Sequence, residues 1–182
     1  MRVITGTARG RRLQTPDGYD VRPTTAKVKE AMFRSIQFDI EGRKVLDLFA
    51  GSGQLGIEAL SRGAEQAVFT DSSQTSINVV KANLDTARLA DRAKVLKTDF
   101  KSYLETTRDR FDIAFLDPPY STGMLGEALA LLPRVMNEYA IILCEHPVLE
   151  DMPQQFENFN LHKTYKYSKI AFTVYRREGA EL

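Results

Sequence analysis

Between residues 44 and 144 the hydrophobic positions alternate between two spacings. Lys44–Phe49, Ala67–Thr70, Ala93–Leu96, Phe111–Leu116 and Tyr139–Cys144 are short β-prone apolar runs. Separating them are stretches in which apolar residues recur at helical spacing: Leu55, Ala59 and Leu60, then Ile77, Val80 and Leu84, then Met124, Leu125, Ala128, Leu129 and Leu132. Pro133 stops the last of these. Strands buried on both faces read as continuous apolar runs, so the alternation predicts an α/β protein built on a parallel sheet. The tail breaks the rhythm. Leu161–Tyr167 and Lys169–Tyr175 are both β-prone, with only Ser168 between them. So short a link permits only an antiparallel pair, because a parallel return needs about a dozen residues. The expected sheet is therefore mainly parallel and ends in an antiparallel hairpin.

The front of the chain follows neither spacing. The first twenty residues read as short twisted β segments around Gly6 and Gly10, closed by the turn Pro16-Asp17-Gly18. A helix is expected from Thr24, a suitable N-cap, with Val28, Ala31, Met32 and Ile36 on its apolar face and Lys27, Lys29, Glu30 and Arg34 turned away. Residues 1–40 thus form a small N-terminal β/α extension, a hairpin plus a helix, on a main domain at 41–182. The extension is too short to hold a core of its own.

Composition narrows the class. A chain of 182 residues with 43% hydrophobic and 27% charged side chains suits one globular domain. Its 11 Gly, 7 Pro and single Cys exclude collagen-like, disordered and disulfide-scaffold classes. No apolar run reaches the ~18 residues of a membrane span. The start Met1-Arg2-Val3-Ile4-Thr5-Gly6 lacks a secretory signal's apolar core, so a cytoplasmic protein without a membrane partner is expected. Cys144 reads as a core thiol, and with His146 and His162 it offers no metal site. No long amphipathic extension suggests self-association, so a monomer is expected. The net charge of +1 conceals an asymmetry. Residues 1–36 hold eight basic and three acidic side chains, net +5, and the remainder is −4. Such a concentrated basic segment suits a phosphate backbone, where each contact releases counterions. A solvated arm without a partner would have the same composition.

Gly51-Ser52-Gly53-Gln54-Leu55-Gly56 matches G-x-G-x-x-G between a strand and a helix. Asp71 follows Gly53 by 18 positions, near the ~20 at which a carboxylate meets ribose hydroxyls. This loop suits either a nicotinamide dinucleotide or S-adenosylmethionine. Three features favour the latter. Asp47, four residues before Gly51, would repel a pyrophosphate but attract an ammonium group. Asp99 could accept from the adenine amino group, with Phe100 beside the ring. Last, Asp117-Pro118-Pro119-Tyr120 has no obvious use in hydride transfer.

That tetrapeptide does suit methylation of an exocyclic amine. The lone pair of such a nitrogen is delocalised into the base, which makes it a poor nucleophile. Acceptors on both N–H bonds pull it towards tetrahedral geometry and aim the lone pair at the sulfonium methyl. Asp117 supplies one acceptor and the Pro118 carbonyl the other. The prolines remove competing backbone donors and stiffen the turn. Tyr120 offers a stacking face, worth ~1–3 kcal/mol by analogy with single-strand binders. In an open α/β sheet the loop and the tetrapeptide would share the crevice at the strands' carboxyl ends.

Arg9-Gly10-Arg11, Arg22-Pro23-Thr24, Asp47–Gly53, Gly56–Ala64 and Asp117-Pro118-Pro119-Tyr120 together resemble the RsmD family of bacterial enzymes, over nearly the whole chain. The resemblance implies a Rossmann-like class I S-adenosylmethionine-dependent methyltransferase that modifies the 2-amino group of a guanine in 16S ribosomal RNA, within an assembled or assembling small ribosomal subunit. It implies that Asp47, Gly51, Gly53, Asp71, Asp99 and Phe100 hold the cofactor. Asp117, Pro118 and Tyr120 would grip the guanine, and Arg9, Arg11, Arg12 and Arg22 would approach RNA. Ala26 and Tyr167-Ser168-Lys169 depart from the family's usual residues. The rival readings are an N6-adenine DNA methyltransferase, a non-catalytic RNA-binding protein on the same fold, and an NAD-dependent oxidoreductase.

Overall fold

A computed structural model describes residues 1–16 and 26–177. Eight strands form one sheet: β1 (Lys44–Asp47), β2 (Gln66–Asp71), β3 (Ala93–Lys97), β4 (Phe111–Leu116), β5 (Met136–Pro147), β6 (Gln155–Phe156), β7 (Phe159–Tyr167) and β8 (Ile170–Arg177). Their spatial order is β3-β2-β1-β4-β5-β8-β7-β6. The first five pair in parallel. β8 joins β5 antiparallel, β7 joins β8 antiparallel, and β6 joins β7 antiparallel. A parallel sheet finished by an antiparallel hairpin is the Rossmann-like methyltransferase arrangement that the sequence predicts. β6 is an addition, too short to show in the hydrophobic pattern.

The helices are α1 (Ala26–Ser35), α2 (Gln54–Ser61), α3 (Gln74–Ala87), α4 (Phe100–Thr106) and α5 (Met124–Leu131). Alternate strand residues feed two cores. Val45, Phe69, Ile113, Phe115, Ile141 and Leu143 share one with α1, α2, α3 and the front of the chain. Leu46, Val68, Ala114, Leu116, Ile142 and Cys144 share the other with α4 and α5. Burial raises the Cys144 thiol pKa far above its ordinary value, consistent with a plain core residue. His146 is buried as well, its Nε2 2.8 Å from the Thr173 hydroxyl.

The front differs from expectation in two ways. Its first sixteen residues contain no extended strands, only a single antiparallel bridge of Arg2 with Arg12 amid turns. Val3, Ala8 and Leu13 nevertheless belong to the core shared with α1 and α2. The second difference is Lys29, which the helical period turns to solvent. It is buried to 2% exposure, because its ammonium lies 3.2 Å from the Glu58 carboxylate of α2 and donates to the Arg2 carbonyl. Asp17, Gly18, Arg22, Pro23 and Thr24, which carried the expected turn, RNA contact and helix cap, lie outside the described residues.

Candidate active site

The parallel strands place their carboxyl ends along one edge, and β1 is where the order turns, with β2 on one side and β4 on the other. Open α/β sheets bind ligands at such a switch point. A cavity of about 330 Å³ opens there. Its wall includes Asp47 from β1, Gly51 from the following loop, Asp71 from β2, Asp99 and Phe100 after β3, and Asp117 and Pro118 after β4. These residues, far apart in sequence, meet on one cavity because each lies at or beyond the end of a strand of the same sheet.

Local chemistry fixes each group. Gly53 caps α2 in the left-handed region at φ 78°, which a residue with a Cβ adopts only under strain. Gly56 sits in the first turn of α2, where a Cβ would collide with the buried Phe69 ring of β2. The helix can therefore close on the strand. Asp47 accepts from the Gly56 amide at 2.9 Å. At 2% exposure its carboxyl is pushed up to about 7, chiefly by burial and further by the charge of Asp71, against the pull of the Gly56 amide. Asp71 accepts from the Gly51 amide at 2.9 Å and from the Ser73 amide at 2.8 Å. It thus ties the glycine loop to the start of α3.

Asp99 has a structural duty besides its place on the wall. Its side chain caps α4 through the Ser102 amide at 2.9 Å, which holds the carboxyl below its usual range. Phe100 meets Phe49 at 5.2 Å between ring centroids, an apolar face on the cavity wall. Gly53 is not on that wall. It acts on the backbone, and Ser52, Gln54 and Leu55 line the space instead.

Tyr120 stands apart from the other members of its tetrapeptide. It lines an adjoining cavity of about 350 Å³ that shares Pro118 and Pro119 with the first. Its hydroxyl donates to Glu145 Oε1 at 3.0 Å. The Thr122 hydroxyl donates to the Pro119 carbonyl at 2.8 Å and closes the turn.

Sequence reasoning missed three contributors. Met1, Thr15 and Pro16 reach the wall of the first cavity, so the front segment starts and returns at the site. Asn83 of α3 fastens that return: its Oδ1 accepts from the Gln14 amide at 2.7 Å, and its Nδ2 donates to the carbonyls of Gln14 and Ser52. One buried amide thereby links the front segment to the glycine loop. Glu145, 2% exposed at the Tyr120 contact, is the third. Asn83 and Glu145 are polar residues beside apolar stretches, a signal for a tertiary partner but not for which one. Arg9, Arg11 and Arg12 are exposed on the front segment, outside both cavities. Among the described residues no cluster of His, Cys, Asp and Glu could hold a metal ion, and no helix is long and apolar enough to cross a membrane.

The family model described as conserved hypothetical protein 95 matches residues 1–176. The "Putative rRNA methyltransferase YlbH" of Bacillus subtilis is 38% identical over 98% of this chain and 100% of its own length. "Ribosomal RNA small subunit methyltransferase D" of Escherichia coli K12 is 35% identical over 98% of this chain and 91% of its own. The solved "Putative methyltransferase yhhF" of Escherichia coli superposes with a TM-score of 0.88 at 36% identity, covering 98% of both chains. With its glycine loop, its Asp-Pro-Pro-Tyr turn and its hairpin-ended sheet all within the matched span, the chain belongs to this RsmD family of Rossmann-like methyltransferases.

Proposed function

We propose that this protein transfers a methyl group from S-adenosylmethionine to the 2-amino group of a guanine in 16S ribosomal RNA of the small subunit. The observation that carries the proposal is the shared cavity. Asp117 and Pro118 face the same space as Asp47, Gly51 and Asp71. The names of the relatives from Bacillus subtilis and Escherichia coli support a ribosomal RNA substrate.

The donor set fits the methyl donor. Two carboxylates on the wall, Asp47 and Asp71, suit an ammonium and ribose hydroxyls and would repel the pyrophosphate of a dinucleotide. Phe49 and Phe100 supply an apolar face for adenine, and Asp99 stands beside them. When bound, the cofactor supplies an electrophilic methyl on a sulfonium. The residues of this chain supply the rest. The Asp117 carboxylate and the Pro118 carbonyl accept the two N–H bonds of the amine, so that its lone pair projects into the cavity. Positioning of that kind supplies much of a barrier reduction as entropy already spent on binding. The proton leaves the alkylated amine readily, so no strong base is required. Exposed Arg9, Arg11 and Arg12 carry positive charge suited to phosphates.

The test is Asp117→Ala. Cofactor affinity, read by calorimetry, should stay within about threefold of the parent, while turnover on small-subunit particles falls by about 100-fold or more, the scale of removing one transition-state hydrogen bond. Turnover equal to the parent's would remove Asp117 from the chemistry.

A further inference from the structure

Neither the glycine loop nor Asp-Pro-Pro-Tyr distinguishes guanine from adenine, because both bases carry an exocyclic amine. The second cavity holds groups that could. It adjoins the first across Pro118 and Pro119, is walled by Tyr120, and has the Glu145 carboxylate as a buried member of its lining. Glu145 belongs to β5, two positions after Leu143 and directly opposite Phe172 of β8, so the sheet holds its backbone in place. The Tyr120 hydroxyl donates to Glu145 Oε1 at 3.0 Å and fixes the carboxylate's orientation. Glu150 stands on the same wall, so the cavity is acidic and selects against an acceptor edge.

Glu145 already acts as an acceptor, taking the Tyr120 hydroxyl on Oε1, and its carboxylate form offers further acceptor sites and no donor. On guanine the ring nitrogen N1 carries a hydrogen beside the 2-amino group, so that edge presents adjacent donors. On adenine the N1 beside the amine is an acceptor and would meet the carboxylate lone pair to lone pair. Pro118 and Pro119 join the two cavities, so a base whose amine sits at Asp117 and Pro118 has the cavity that holds Tyr120 and Glu145 next to it for its N1 edge.

We propose that Glu145, oriented by Tyr120, accepts the N1–H of the target base and so selects guanine over purines that lack that hydrogen. This rests on the amine-methylation reading above and adds a specificity-determining residue to it.

The test uses small-subunit particles reconstituted with ligated RNA that carries either guanine or 2-aminopurine at the mapped acceptor position. 2-Aminopurine keeps the 2-amino group but presents N1 as an acceptor. The parent enzyme should prefer guanine by roughly 10–100-fold in kcat/KM, as expected for one hydrogen bond to a charged group. Glu145→Gln preserves an oxygen for the Tyr120 hydroxyl and adds an N–H that 2-aminopurine can accept. The preference should then shrink to within about threefold, with guanine turnover lowered and 2-aminopurine turnover raised. A merely structural Glu145 would lower both equally. A parent enzyme that methylates both bases alike would overturn the proposal without any variant, as would a preference unchanged in Glu145→Gln. Failure of the parent to methylate guanine at all would overturn the amine-methylation reading beneath it, a distinct result.

Discussion

Glu58 is one of the points at which the front segment is fastened to the body, and its loss should be the more damaging half of an asymmetric pair. Its side chain is 0% exposed. Oε1 accepts from the Thr5 amide and the Arg62 Nε, both at 2.9 Å. Oε2 accepts from the Ile4 amide at 2.9 Å and lies 3.2 Å from the Lys29 ammonium. Glu58→Gln keeps the shape but turns an amide N–H towards two of these donors and leaves Lys29 charged and buried. Breaking a buried pair from one side costs about 3–5 kcal/mol. Lys29→Met is gentler, since Glu58 loses the ammonium but keeps Arg62 and both backbone amides, and the Arg2 carbonyl loses its donor, a cost of about 1–3 kcal/mol. For a urea slope of about 2 kcal/mol/M, Glu58→Gln should lower the midpoint by about 2 M, and Lys29→Met by about half of that. Urea unfolding followed by circular dichroism gives both numbers. A Glu58→Gln cost below about 1 kcal/mol, or a Lys29→Met cost equal to it, would show that the carboxylate does not organise these bonds.

Further outcomes concern the cofactor wall and the basic arm. Asp47 has its carboxyl pushed up to about 7 in the folded state against an ordinary 3.8, so the folded protein holds a proton that the unfolded chain releases. The stability present below the unfolded value is therefore lost as pH rises from about 4 to 7, by up to ~4 kcal/mol, and Asp47→Asn should flatten that slope in thermal melts. Over the same upper range ionisation of Asp47 should strengthen binding of S-adenosylmethionine, so its dissociation constant should fall between about pH 6 and pH 8 in the parent and not in Asp47→Asn. Replacing Arg9, Arg11 and Arg12 together by Ala should weaken RNA binding and reduce the slope of log affinity against log salt by up to about 3, one for each phosphate no longer neutralised. An unchanged slope would take the arm off the RNA.

How far the sequence reaches depends on whether a feature is local. β4 and α5 announce themselves through unbroken apolar periodicity, and β1, the glycine loop and α2 through a strand that runs into Gly51-Ser52-Gly53. β5 extends beyond its apolar run at both ends, to Met136 and to Pro147, because β4 pairs with Met136 across a register shift and β8 pairs with His146 and Pro147, which carry no strand signal. α4 is hidden for the opposite reason. It buries only Tyr103 and Leu104, and the Asp99 that caps it reads equally well as a ligand. Lys29 reads as outward-facing because a helical period registers only its charge, whereas its Glu58 partner lies on another helix. Glu145 and Asn83 escape for the same reason, since the partners that give them meaning, Tyr120 and Gln14, come from distant elements. Side chains placed on the cavity by strand ends are legible. Side chains that act through a tertiary partner are not.

The most direct test incubates the protein with S-adenosylmethionine labelled in the methyl group and small ribosomal subunits that lack the modification, then digests the RNA and separates the nucleosides. Label recovered as N2-methylguanosine from 16S RNA is the result expected. Label in N6-methyladenosine, or none in RNA while the cofactor binds, would contradict it.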